Sequence, residues 1–110
     1  MSTYLLEVAY TSNAWSALIN NPQDRTEVVQ RAVENLGGKV NAFWMAFGDY
    51  DIVGIVDMPD NVSAAAFSMA LSGGGACRAV KTTPMMTVQE GLAAMKKAAS
   101  RGYKAVTAGR

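Results

Sequence analysis

In the stretch FGDYDIVG, residues 47–54, Asp49 and Asp51 flank Tyr50 just behind Gly48. Carboxylates beside a phenol are groups that move protons, with Asp51 as acceptor or base and Tyr50 as aromatic wall or proton donor. The same residue types also build turns. Gly and Asp tolerate unusual φ, and a short carboxylate accepts main-chain N–H groups nearby. A hard cation needs more oxygen ligands than these two aspartates supply, so the motif alone holds no metal.

A second group is aromatic. Tyr4, Tyr10, Trp15 and Trp44 either pack in a core or interface, or line a pocket in which polar groups orient a ligand. Arg78 and Lys81 add positive charge, to pair with Glu7 across a sheet or to hold a carboxylate or phosphate. The candidate ligand-binding residues are therefore Tyr4, Trp15, Trp44, Tyr50, Asp51, Arg78 and Lys81. No catalytic residue is assigned.

Composition removes several chemistries. The 110 residues include no histidine, which takes away the commonest general base and metal ligand. Cys77 stands alone, so neither a Cys–His nucleophile nor an intramolecular disulfide can form, and a reducing compartment suits it. Neither a metal nor a cofactor is expected. Gly73-Gly74-Gly75 lacks the lysine and hydroxyl of a phosphate loop and follows a helix, so it reads as a helix stop. The methionines read as adaptable packing. A net charge of +1 gives no case for nucleic acid or an acidic membrane. No apolar run approaches the roughly 18 residues of a membrane span, and the N-terminus lacks a signal-peptide pattern. A cytoplasmic protein without nucleic-acid or membrane partners is expected.

The elements that must position these residues follow from periodicity. Thr3 to Thr11 reads as a strand, with Tyr4, Leu6, Val8 and Tyr10 on one side and Leu5, Glu7 and Ala9 on the other. Ser12 is a plausible cap for a short helix bearing Ala14, Trp15, Leu18 and Ile19. Asn21-Pro22 looks like the cap and first position of a further helix, which runs through Val28, Val29, Ala32, Val33 and Leu36 to Gly37-Gly38. KVNAFWMAF and DIVGIVDM form an antiparallel hairpin across Gly48 and Asp49. Asp60 or Asn61 caps the next helix, ACRAVKTT is a fourth strand, and Thr87 to Glu90 is a capping box opening a last helix to about Ser100. The tail from Arg101 shows no clear period and either frays or leans on a neighbour.

This order is the split βαβ pattern of a single α+β domain over residues 1–110: a ferredoxin-like βαββαβ antiparallel sheet with helices on one face and an extra C-terminal helix. The core spans about residues 3–92. In the second strand Val40, Ala42, Trp44 and Ala46 alternate with Asn41, Phe43, Met45 and Phe47. In the third, Ile52, Gly54, Val56 and Met58 alternate with Val53, Ile55 and Asp57. Both faces are largely apolar, whereas an antiparallel sheet covered on one side should be polar on the other. Only 17% of the residues are charged, against about a quarter in typical domains, which also points to a partner surface. A homo-oligomer joined through the second sheet face is expected. The alternative is a C-terminal helix folded over that face.

The stretch FGDYDIVGIVDMPD resembles the GYD domain family of small bacterial proteins. The strand YLLEVAYT, the GGK helix stop, the PD helix start and a basic fourth strand fall in register with it, over roughly residues 3–92. The resemblance implies a ferredoxin-like domain of the dimeric α+β barrel kind and leaves the activity open, because that fold hosts enzymes and ligand sensors alike. Three readings stay open. The first is a small-ligand-binding or regulatory module. The second is a cofactor-independent enzyme of monooxygenase or isomerase type, with Asp51 or Tyr50 in proton transfer. The third is a purely structural self-assembling protein.

Overall fold

The computed structural model describes residues 1–100 and 102–107. They run β1 (Ser2–Tyr10), α1 (Ser12–Asn20), α2 (Thr26–Asn35), β2 (Lys39–Met45), β3 (Ile52–Met58), α3 (Asn61–Gly73), β4 (Cys77–Met85) and α4 (Val88–Ala99). The strands form one antiparallel sheet in the order β2-β3-β1-β4, the ferredoxin-like arrangement expected of this element order. Tyr4, Leu6 and Val8 of β1 are buried with Ile52, Val56 and Met58 of β3 against Val33 of α2 and Ala64 and Phe67 of α3. The strand period of two and the helix period of 3.6 bring these side chains onto facing surfaces.

Local hydrogen bonds set the helix starts. The Thr11 hydroxyl accepts the Ala14 N–H at 3.1 Å, so the cap of α1 falls one residue before Ser12. Asp60 caps α3 through the Ser63 N–H at 2.8 Å, and Thr87 with Glu90 closes the capping box of α4. The second helix opens at Thr26 and not at Pro22. Asp24 accounts for the delay. Its carboxylate takes the Thr26 N–H at 2.8 Å and the Thr26 hydroxyl at 2.6 Å, a local turn that keeps residues 21–25 out of the helix. Gly38 follows α2 where the chain passes closest to β3: a Cβ there would lie 2.5 Å from the Asp57 carbonyl oxygen.

Each edge strand carries a bulge. On β2 the extra residue is Asn41, because Val40 faces Val56 while Ala42 faces Ile55. This corrects the strict alternation read from the sequence. Phe43 faces Gly54 and Met45 faces Ile52, so both lie on the helical face with Val40, while Ala42 and Trp44 lie on the open one. On β4 the extra residue is Arg78, between the pairs Ala9–Ala79 and Tyr10–Cys77.

The open face is apolar on one side only. Trp44, Val53, Glu7 and Lys81 make one row across it, and Ala42, Ile55, Leu5 and Thr83 the next. Apolar side chains therefore concentrate on β2, β3 and the middle of β1, and polar ones towards β4. Glu7 and Lys81 are cross-strand neighbours without an ion pair between them, and the ion pair present among the described residues is Arg31–Glu27 on α2. The last helix leaves this face bare. Trp44 is 70% exposed, and α4 buries none of its residues. With α4 standing off the sheet, the radius of gyration is 17.9 Å, against about 13 Å for a compact domain of this length. Gly102–Thr107 form neither helix nor strand, and Arg101 and residues 108–110 of the tail lie outside the described residues.

The carboxyls of Asp24, Asp57 and Asp60 are held below the usual carboxylate range by hydrogen bonds: from Thr26 to Asp24, from Asn41 and Thr3 to Asp57, and from Ser63 to Asp60. A lowered folded-state pKa stabilises above the unfolded value and loses that contribution as the pH falls through the lowered one. All three groups are solvent-screened, so the expected effect is a modest fall in Tm confined to the acid end of a melting series. A Tm that stays flat into acid would contradict this assignment.

Candidate functional site

The hairpin turn joins β2 and β3 through residues 46–51, closed by the Ala46 N–H donating to the Asp51 carbonyl at 2.8 Å. Gly48 sits at φ 141° with open space around it, so backbone conformation and not crowding calls for glycine. No non-glycine residue among those described has positive φ, so Asp49 does not use its tolerance for such angles. Its carbonyl instead accepts the Arg78 guanidinium at 3.4 Å, reached from the bulge of β4.

Asp51 bonds beyond the turn. The β1–β3 ladder stops at Val8–Ile52, and the Asp51 N–H then donates to the Val8 carbonyl at 2.8 Å. Asp51 Oδ2 accepts the Tyr10 main-chain N–H at 2.8 Å and the Trp15 indole N–H at 3.3 Å. At 9% exposure the carboxylate needs such donors, since a buried charge without partners is costly. The Tyr10 and Trp15 rings meet edge to face with centroids 5.3 Å apart. Asp51, Tyr10 and Trp15 are thus one unit tying the hairpin, the end of β1 and the start of α1.

That unit borders a cleft between the sheet and the helices. One lobe, about 450 Å³, runs between α1, α2 and α3 along Ala17, Val29, Phe67 and Leu71. The other, about 580 Å³, runs from Pro22 over Phe43, Met45 and Ile52 of the sheet. Tyr10, Leu18, Gln23 and Arg25 line both lobes, so the two meet there. Each lobe falls within the roughly 300–1,000 Å³ usual for small-ligand pockets. Burial pushes the Tyr10 hydroxyl up, with Cys77 and Asp51 adding to the effect and Arg25 opposing it. Burial likewise raises the Cys77 thiol, which stays protonated at neutral pH and is a poor nucleophile.

The family model for the GYD domain matches residues 4–102, a span that holds the sheet, the hairpin with its Gly48-Asp49-Tyr50-Asp51 signature, and α4. The chain belongs to the GYD domain family. No curated protein and no solved structure matches it. In this GYD domain two signature residues have a direct physical reason: the glycine supplies the turn's φ, and the final aspartate ties the turn to β1 and α1.

The residues singled out from the sequence separate in this GYD domain. Asp51 and Trp15 are joined, with half-buried Tyr50 next to Asp51 in the turn and Arg78 touching the same turn. Tyr4 lies in the core, and its hydroxyl donates to Asn61 Oδ1 at 2.5 Å. Trp44 and Lys81 stand on the open sheet face, on opposite edge strands, away from the cleft. Sequence reasoning did not single out Gln23, Arg25 and Cys77 as cleft residues. Gln23 and Arg25 fall in a segment that reads as the first turn of a helix, and the one available signal was Asp24 followed by Thr26, a pair that makes its own turn. Among the described residues no cluster of acidic or cysteine side chains could hold a metal ion, and no helix is long and apolar enough to cross a membrane.

Proposed function

We propose that this GYD domain is a self-associating module that binds a small ligand in the cleft between its sheet and helices. The observation carrying this reading is the cleft itself: a largely apolar lobe between the helices and a mixed lobe over the sheet that share Tyr10, Leu18, Gln23 and Arg25. Few polar groups over an apolar lining are what orient a small molecule. The enzyme reading has less support. Asp51 Oδ2 already takes two N–H groups, and the thiol of Cys77 is held protonated. The lone thiol also favours a reducing compartment such as the cytoplasm.

A thermal-shift screen of small metabolites tests the ligand. One present at about 100 times its Kd should stabilise the chain by about 2.7 kcal/mol. Leu18→Trp, which crowds both lobes from α1, should abolish that shift. Hits that Leu18→Trp leaves unchanged would remove the cleft from the proposal.

Self-association rests on the apolar half of the open face, where the exposed Trp44 faces Val53, and Ile55 and Leu5 follow in the next row. Trp44→Lys is expected to weaken the oligomer roughly tenfold or more, since a buried tryptophan commonly dominates an interface. The same change should leave the fold intact, because the side chain is 70% exposed in the single chain. Native mass spectrometry across a dilution series reads the outcome. An unchanged oligomer distribution would remove this face as the interface.

A further inference from the structure

We infer that the cleft takes an amphipathic carboxylate: a small molecule with an apolar body and one acid group held by Arg25. The inference rests on the ligand-binding reading above and gives that ligand its chemical class. The lobes supply the apolar part, with Leu18, Val29, Phe67 and Leu71 on one side and Phe43 and Ile52 on the other. Arg25 supplies the charge. Arg25 is an exposed residue that lines both lobes; its guanidinium donates one hydrogen bond to Gln23 Oε1 at 3.3 Å and forms no ion pair with a described residue. Arginine carries five N–H donors in a planar fork that matches a carboxylate, so the donors not given to Gln23 can exchange water for a ligand's acid group.

The nearby acids do not compete for it. Asp24 lines the same mouth, but its carboxylate is drawn to the start of α2 by the Thr26 N–H and hydroxyl. Asp51 is engaged by Tyr10 and Trp15. Tyr10 lines both lobes beside Arg25, while the Gln23 amide is engaged, its Nε2 donating to the Asn21 carbonyl and its Oε1 accepting from Arg25. A cationic ligand would meet Arg25 with like charge, and a neutral one would leave the exposed guanidinium to water and gain nothing from it.

The test uses the full chain carrying Trp44→Phe, so that Trp15, edge-on to Tyr10, is its sole tryptophan. Octanoate, 1-octanol and octyltrimethylammonium are titrated by Trp15 fluorescence and by calorimetry. Octanoate should bind roughly tenfold or more tighter than octanol, and Arg25→Gln should erase that preference without weakening octanol. Leu18→Trp, at a residue lining both lobes and read by calorimetry alone because it adds a second tryptophan, should abolish binding of both. Octanol binding as tightly as octanoate, or Arg25→Gln leaving the preference intact, overturns the acid assignment while the cleft remains a ligand site. Preferred binding of the ammonium overturns it too. If none of the three binds, or if Leu18→Trp changes nothing, the ligand-binding reading of the cleft falls with it.

Discussion

Replacing Asp51 by alanine is expected to destabilise the fold by roughly 2–4 kcal/mol, because two donors lose a charged acceptor in a place water reaches poorly. The Tyr10 main-chain N–H and the Trp15 indole N–H both point at Asp51 Oδ2, and the residue is only 9% exposed. For a chain of this size such a loss lowers Tm by on the order of 10 °C. Asp51→Asn keeps an oxygen in place and should cost less than half as much. Urea unfolding at fixed chain concentration measures both variants, and near-UV circular dichroism should show Trp15 losing its fixed environment in the alanine variant. A catalytic carboxylate would behave in the opposite way, since its removal often leaves stability unchanged or improved. Asp51→Ala as stable as the parent would therefore reopen the proton-transfer reading of the signature.

The second large effect belongs to the corner between α2 and β2. Met58 is fully buried at the end of β3, and Val33 beside it is equally inaccessible. Met58→Ala should cost roughly 2–5 kcal/mol through lost burial and the cavity left behind. Gly38→Ala acts on the same corner by crowding. Its Cβ would lie 2.5 Å from the Asp57 carbonyl oxygen, 2.6 Å from Met58 Sδ and 2.9 Å from Val33 Cγ1. The expected cost is roughly 1–3 kcal/mol. The double variant separates the two contacts. Removing the sulfur relieves one clash, but the carbonyl belongs to a paired strand and cannot retreat, so Met58→Ala should recover only part of the Gly38→Ala loss. Full recovery would mean that the main chain at Asp57 yields and that the close approach is not what requires glycine.

Much of this architecture was legible before any coordinates. The alternation in TYLLEVAYT, the helical spacing from Val28 to Leu36 and the Thr87–Glu90 box all depend on neighbours in sequence, so periodicity and capping chemistry found them. What escaped depended on single residues that break a local rule. Asn41 adds one residue to β2 and reverses the facing of Phe43 and Met45, yet a run of apolar residues looks the same before and after such a shift. Asn21-Pro22 has the chemistry of a helix start, and Asp24 overrides it by bonding Thr26 first. The site was less legible than the fold. Asp51 stood out as a turn residue, but its partners Tyr10 and Trp15 lie far upstream and meet it only when β1 pairs with β3. Arg25 carries no motif at all. It matters because the segment from Asn21 to Arg25 stays out of the helix and hangs over the cleft.

The bulges at Asn41 and Arg78 occupy the two outermost strands, and β4 carries Pro84 as well. An unprotected strand edge is a template on which further copies can stack without limit, and a kink or a missing N–H spoils that template. Both margins of this sheet are therefore poor at recruiting another strand, while its broad apolar side remains available. In the self-association proposed above, such margins work against the open-ended ladders that grow into fibrils and leave the apolar side as the surface for a pairing that closes on itself. For a chain with so few charges and so much exposed apolar surface, blunted strand edges remove one route to aggregation.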